Sequence, residues 1–249
     1  MNNQALFEAA GGLTNYAQAV CRMVETQEYA ATTSLVDDLE EQAILEQLLD
    51  EYKPDYSEGT QDLHYLISTP FRYPPLKYGS RFGTVHQPSF FYASENVLTC
   101  LSEAAFYRFY LIDGTEIPFP NVIQSQHSLF FVRVSTQSAL DLTQIQDAEI
   151  QQQLTDPSSY VLTQKVGTFA REQGSQLLRY FSARSQSKSI NVAIDNHQVI
   201  QSKSPEDKVE YICQLDPKNG ILRFSQPRTF PVTFHLAQFL VDGQLPTLS

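Results

Sequence analysis

The stretch from Leu66 to Tyr110 gathers the side chains best suited to chemistry: Arg72, Arg81, the tyrosines Tyr73 and Tyr92, and the carboxylate of Glu103. A guanidinium is a planar fork that grips an oxyanion in bidentate fashion, which lysine cannot reproduce. Glu103 falls in the middle of a segment, Val97 to Tyr110, that is apolar on almost every side. A carboxylate in such surroundings must be paired or face a cavity, because burying it alone costs several kcal/mol. The residue types therefore point to an anion-binding loop beside an acidic group. They are equally open to plainer readings: surface ion pairs for the arginines, core aromatics for the tyrosines, and a structural bridge from Glu103 to Arg72 or Arg81.

Composition narrows the partners. The 249 residues carry 17 lysines and arginines against 28 acids, a formal net charge of −11. This excludes a general nucleic-acid binder, which needs a basic face to neutralise phosphates, but leaves room for a local cationic pocket. The N-terminus MNNQALFEAAGG lacks the pattern of a signal peptide, and no apolar run is long enough to span a membrane. The three cysteines are far apart and show no metal-ligand spacing. A cytoplasmic protein with reduced thiols and no bound metal is expected.

The elements that must position these groups read as an α+β domain. Residues 4 to 52 are expected as a helical arm. One helix runs from Gln4 to Thr26, and a second carries Val36, Leu39, Ala43, Ile44, Leu48 and Leu49 at helical spacing behind a Ser34 cap with Asp37 three residues on. Prolines 70, 74 and 75 suggest an edge strand over 64–74, entering a glycine-containing loop around 79–83. A strand over 88–94 leads to a buried helix capped by Ser94. A strand within 128–142, helices at 144–155 and 159–173 with Gly174 as a C-terminal cap, and strands at 176–184, 189–195, 221–225 and 229–240 complete the chain, with an Asn219-Gly220 turn. The division expected is 1–56 for the arm and 57–249 for the main domain.

No Walker loop, GxGxxG, HExxH, GxSxG or EF-hand loop occurs, and the five histidines are scattered. What remains is an ordered set: Phe71-Arg72-Tyr73, Gly79-Ser80-Arg81-Phe82, Phe91-Tyr92-Ala93-Ser94, Glu103, and much later Tyr180-Phe181-Ser182-Ala183-Arg184 followed by Asn191-Val192-Ala193. This set resembles the RES domain, a family named for its arginine, glutamate and serine, over about residues 64 to 197. One position departs: where the family commonly has Arg-Trp-Asn, this chain has Arg81-Phe82-Gly83.

The resemblance implies an ADP-ribosyltransferase-like mixed sheet and an enzyme that breaks the nicotinamide–ribose bond of NAD, as a NAD phosphorylase or a NAD glycohydrolase. It further implies the toxin of a toxin–antitoxin pair, with an Xre-like antitoxin as partner. Glu103, Arg72 and Ser182 would be catalytic, and Arg81, Tyr73, Tyr92 and Phe82 would hold NAD. NAD is the substrate and no cofactor is implied; inorganic phosphate or water would be the acceptor. Two other functions stay open: an ADP-ribosyltransferase that modifies a macromolecule, and a silent protein that binds a nucleotide or partner. Whether copies of the chain associate is also left open.

Overall fold

A computed structural model describes residues 2–26, 38–115, 119–185 and 188–247. Its architecture is α+β, as the sequence suggests, with eight strands in one mixed sheet. The N-terminal reading needs correction. A helix α1 (Asn3–Ala9) is short, because Gly11 and Gly12 follow it with φ of 84° and 70°, where an L side chain would be strained. The chain then extends as β1 (Leu13–Glu25), not as a helix. β1 pairs antiparallel along its whole length with β3 (Ile123–Asp141), so residues 13–25 belong to the main sheet. The second helix of the expected arm is present as α2 (Leu39–Glu51). Its proposed start at Ser34, Val36 and Asp37 lies outside the described residues.

The edge strand expected over 64–74 is also a helix, α3 (Tyr65–Arg72), with Pro70 inside it. His64 Nδ1 accepts from the Leu66 amide to start it, and Leu66, Ile67 and Phe71 bury one face against the sheet. Burial of that face outweighs the loss of one helical hydrogen bond at Pro70. Next come β2 (Phe91–Ser94) and α4 (Val97–Asp113). Asn96, not Ser94, caps α4 by accepting from the Thr99 amide. α4 buries Leu101, Ala105, Phe106 and Phe109, yet Leu98 and Leu111 are exposed, so it is buried on its sheet side only. Helices α5 (Ala148–Leu154) and α6 (Val161–Glu172) follow β3, with Gly174 at φ 80° behind α6. Then come β4 (Leu177–Phe181), β5 (Ile190–Ile194), β6 (Lys208–Asp216), β7 (Ile221–Ser225) and β8 (Val232–His235). The alternation of β6, buried at Tyr211, Cys213 and Leu215, went unread in the sequence.

The sheet order explains where a site can form. β1 bonds β3 on one edge and β2 on the other, while β2, β5, β4 and β3 pair in succession, so five strands close on themselves and β6, β7 and β8 extend from β3. The closure is thin: β1 meets β2 only at Cys21 and Ser94. Past that contact no further ladder pair joins the two strands, and the Arg22 side chain, not a backbone amide, donates to the Tyr92 carbonyl at 2.7 Å. Among the described residues no helix is long and apolar enough to cross a membrane.

Candidate active site

A cavity of about 550 Å³ opens where β1 and β2 part, bounded on one side by α4. That volume lies in the range of small-molecule sites. Strand β2 contributes Tyr92, α4 contributes Glu103 and Tyr107, β4 contributes Tyr180, and Asn191 comes from β5. The loop before β2 adds Gly79, Ser80 and Arg81.

Glu103 is the centre of the arrangement. One of its oxygens, Oε1, accepts from Ser182 Oγ at 2.6 Å and from Asn191 Nδ2 at 2.6 Å. The Ser182 hydroxyl in turn accepts from the Arg184 amide at 3.0 Å, and Asn191 Oδ1 accepts from Ser94 Oγ at 2.6 Å. Neither arginine proposed as its bridge partner binds it. The carboxylate is thus fixed in orientation by neutral donors, with no ion pair to an arginine among the described residues, which suits a group that must act on a ligand.

Around it stand Arg22, Arg81 and Arg184. Arg81 is almost fully buried; its Nη1 donates to the carbonyls of Leu154 and Asp156 at 3.2 and 3.0 Å, and its guanidinium lies over the Tyr160 ring. Arg184 stacks on Phe106 at 3.6 Å and leaves Nη2 buried without a partner; Arg22 leaves Nε in the same state. Burial lowers the pKa of both Arg22 and Arg184. Buried guanidinium N–H groups without acceptors cost free energy, and an anionic ligand in the cavity would satisfy them. Tyr92 is pushed up to about 12, chiefly by burial, and Tyr180 is raised for the same reason, so both stay neutral. Among the described residues no group of three His, Cys, Asp or Glu side chains could hold a metal.

The structure therefore brings Glu103, Ser182, Arg81 and Tyr92 together and leaves three expected residues elsewhere. Arg72 ends α3, where its Nε donates to the Pro54 carbonyl and its guanidinium lies over Tyr56 at 4.1 Å. Tyr73, beside it, is 40% exposed and does not line the cavity. Phe82 is fully buried against Tyr180, so it supports the wall from behind. At Gly83, where the family commonly has asparagine, other side chains hold the loop: Gln164 on α6 donates to the carbonyls of Tyr78, Ser80 and Gly83, and Tyr92 accepts from the Phe82 amide while donating to Ser80.

Arg22 was missed because it sits in a segment read as a helical arm. The signal that could have found it is the Gly11-Gly12 break, followed by a run with Thr14, Val20 and Val24 that favours strand. An Arg22→Lys variant is expected to lower kcat/KM at least about tenfold, since lysine loses the fork. The matching Arg72→Lys change should alter it by no more than about twofold. Steady-state kinetics on both variants checks this; equal effects would place Arg22 outside the site.

No curated protein matches the chain in sequence. Among solved structures, a chain of the M. tuberculosis MbcT–MbcA toxin–antitoxin complex aligns over 86% of this chain and 94% of its own, with 12% identity and a TM-score of 0.46. A family model described as the RES domain matches residues 55–213, more than half of the chain. That range takes in the loop of Arg81, the Glu103 helix and the Ser182–Asn191 pair while leaving Arg22 outside, and on this match the chain belongs to the RES-domain family.

Proposed function

We propose that the chain is a NAD-consuming enzyme that cleaves the bond between nicotinamide and ribose, and that it serves as the toxin of a toxin–antitoxin pair. Membership of the RES-domain family supports NAD as the substrate and an Xre-like protein as the antitoxin. The observation that carries the chemistry is the Glu103 carboxylate, oriented by Ser182 and Asn191 within a cavity that four arginines line.

Each group has a use in that reaction. Arg81 and Arg184, with Arg22, would take the pyrophosphate, whose oxygens match the guanidinium forks. The rings of Tyr92, Tyr160 and Tyr180 form walls on which a cationic nicotinamide can stack. When the C–N bond breaks, its electron pair leaves with nicotinamide, which departs neutral, and positive charge develops on the ribose. Glu103 stabilises that charge and accepts hydrogen bonds from the ribose hydroxyls. The acceptor oxygen then bonds to the anomeric carbon: water releases its proton to solvent in doing so, whereas an ionised phosphate oxygen has none to lose. Ser182 acts through Glu103, holding the carboxylate in place, and not on the leaving group. Arg72, expected among the catalytic residues, has no part in this scheme.

Incubating the pure chain with NAD, with and without inorganic phosphate, tests the proposal. Free nicotinamide is expected in the absence of any protein acceptor. ADP-ribose 1″-phosphate as co-product identifies a phosphorylase, and ADP-ribose a glycohydrolase. Intact NAD after prolonged incubation overturns the reading, as does label transferred to protein.

A further inference from the structure

The cavity has a second polar end that this chemistry does not use. α4 and β1 lie side by side and run in the same direction: Cys100, in the first turn of α4, shares a buried cluster with Cys21, in the second half of β1, and Arg108 Nη1 pairs with Glu25 Oε2 at 3.0 Å further along both elements. The two spacings agree, since Cys21 to Glu25 spans about 13 Å of strand and Cys100 to Arg108 about 12 Å of helix. Both ends line the one cavity. It is therefore elongated along α4, with Glu103 towards one end and the Glu25–Arg108 pair about 8 Å further along the helix axis. An extended dinucleotide that places its reacting ribose at Glu103 and its pyrophosphate by Arg22 can lay its other nucleoside towards Glu25.

The charge state of that end selects what can lie there. Arg108 is largely buried and is neutralised by Glu25; its Nη2 donates to Ser125 Oγ at 3.0 Å, and Ser125 contacts His127 Nε2 at 3.0 Å. His127 is buried, and burial, reinforced by the Arg108 charge, lowers its pKa to about 4, so it is neutral near pH 7. The end thus offers a half-exposed carboxylate beside a neutral imidazole, and its cation, Arg108, is already paired with that carboxylate while its Nε is buried without a partner. A vicinal diol can donate to that carboxylate, whereas a phosphomonoester would meet it as like charge and would have to displace it from Arg108. Glu25, like Arg22, lies outside the range matched by the family model.

We propose that Glu25, held by Arg108, is the specificity residue for the far ribose: it admits a dinucleotide with a free 2′-hydroxyl and excludes one with a 2′-phosphate, so NAD is consumed and NADP is not. This rests on the cavity being the NAD site. From this like-charge contact a preference for NAD of roughly a hundredfold in kcat/KM is expected. Nicotinamide release from NAD and from NADP should be measured for the wild-type chain and for Glu25→Gln, which keeps the shape and half-exposed position of the side chain. The variant is expected to narrow the ratio at least tenfold, through a gain with NADP. A wild-type ratio near one, or a ratio unmoved by Glu25→Gln, overturns the inference while leaving NAD cleavage intact. If neither dinucleotide is cleaved, the functional reading fails first. Calorimetric binding of NAD and NADP then decides the selectivity, equal affinities overturning it.

Discussion

Replacing Glu103 with glutamine is expected to lower kcat at least about a thousandfold while NAD binding changes little. The size follows from the arrangement. Glutamine is isosteric and can still accept from Ser182 and Asn191 through its carbonyl oxygen, so the hydrogen bonds at Oε1 have a geometric substitute. What vanishes is the negative charge, and it vanishes where the transition state becomes positive. An interaction made mainly in the transition state appears in kcat and leaves ground-state binding intact. Isothermal titration with NAD, beside single-turnover release of nicotinamide, separates the two quantities. Full turnover in Glu103→Gln would remove the carboxylate from the mechanism. Ser182→Ala gives the supporting contrast: it removes one of two orienting donors and leaves the charge, so a much smaller loss is expected.

The part of this site that could be read from sequence was the part encoded locally. The eleven-residue steps from Arg81 to Tyr92 to Glu103 sit on one loop, one strand and one helix that are consecutive in the chain, so spacing along the sequence translates into spacing in the fold. Ser182 and Asn191 were legible only through their order, because β4 and β5 reach Glu103 by pairing with each other and with β2. Arg72 and Arg22 show the limit. Arg72 has an arginine–tyrosine neighbourhood that fits the family pattern, but α3 turns it towards Pro54 and Tyr56. Around Arg22 the local signal marks a strand and not a site; the side chain reaches the cavity because β1 breaks off its pairing with β2 after Cys21. Local propensity failed in both places for the same reason: burial against the sheet made α3 helical despite Pro70, and the long ladder to β3 made β1 a strand.

The hold of Gln164 on the Arg81 loop connects this site to the stability of the whole domain. The loop from Tyr78 to Gly83 carries Arg81, and Gln164 on α6 fastens three of its carbonyls. Such fastening requires helix and loop backbones to approach closely, and Gly167 makes the approach feasible. A Cβ at Gly167 would lie 1.9 Å from the Phe82 carbonyl oxygen and 2.8 Å from its carbon, so the neighbour that must yield is backbone and not a flexible side chain. On an unobstructed helix, glycine to alanine stabilises by up to about 1 kcal/mol. Here the sign reverses. Gly167→Ala is expected to destabilise the chain by roughly 2–3 kcal/mol, the range for overpacking a tight contact, and to lower Tm by about 5–10 °C at this chain length. Because the loop must shift, Arg81 moves with it, so KM for NAD should rise in the same variant even below the melting transition. Gly114→Ala is the comparison: its φ is −75° and an added Cβ would meet nothing closer than 3.7 Å, so its Tm should stay within about 2 °C of wild type. Calorimetry on the two variants checks the contrast. A Gly167→Ala chain as stable as wild type would mean that α6 does not grip the Arg81 loop as closely as the structure has it.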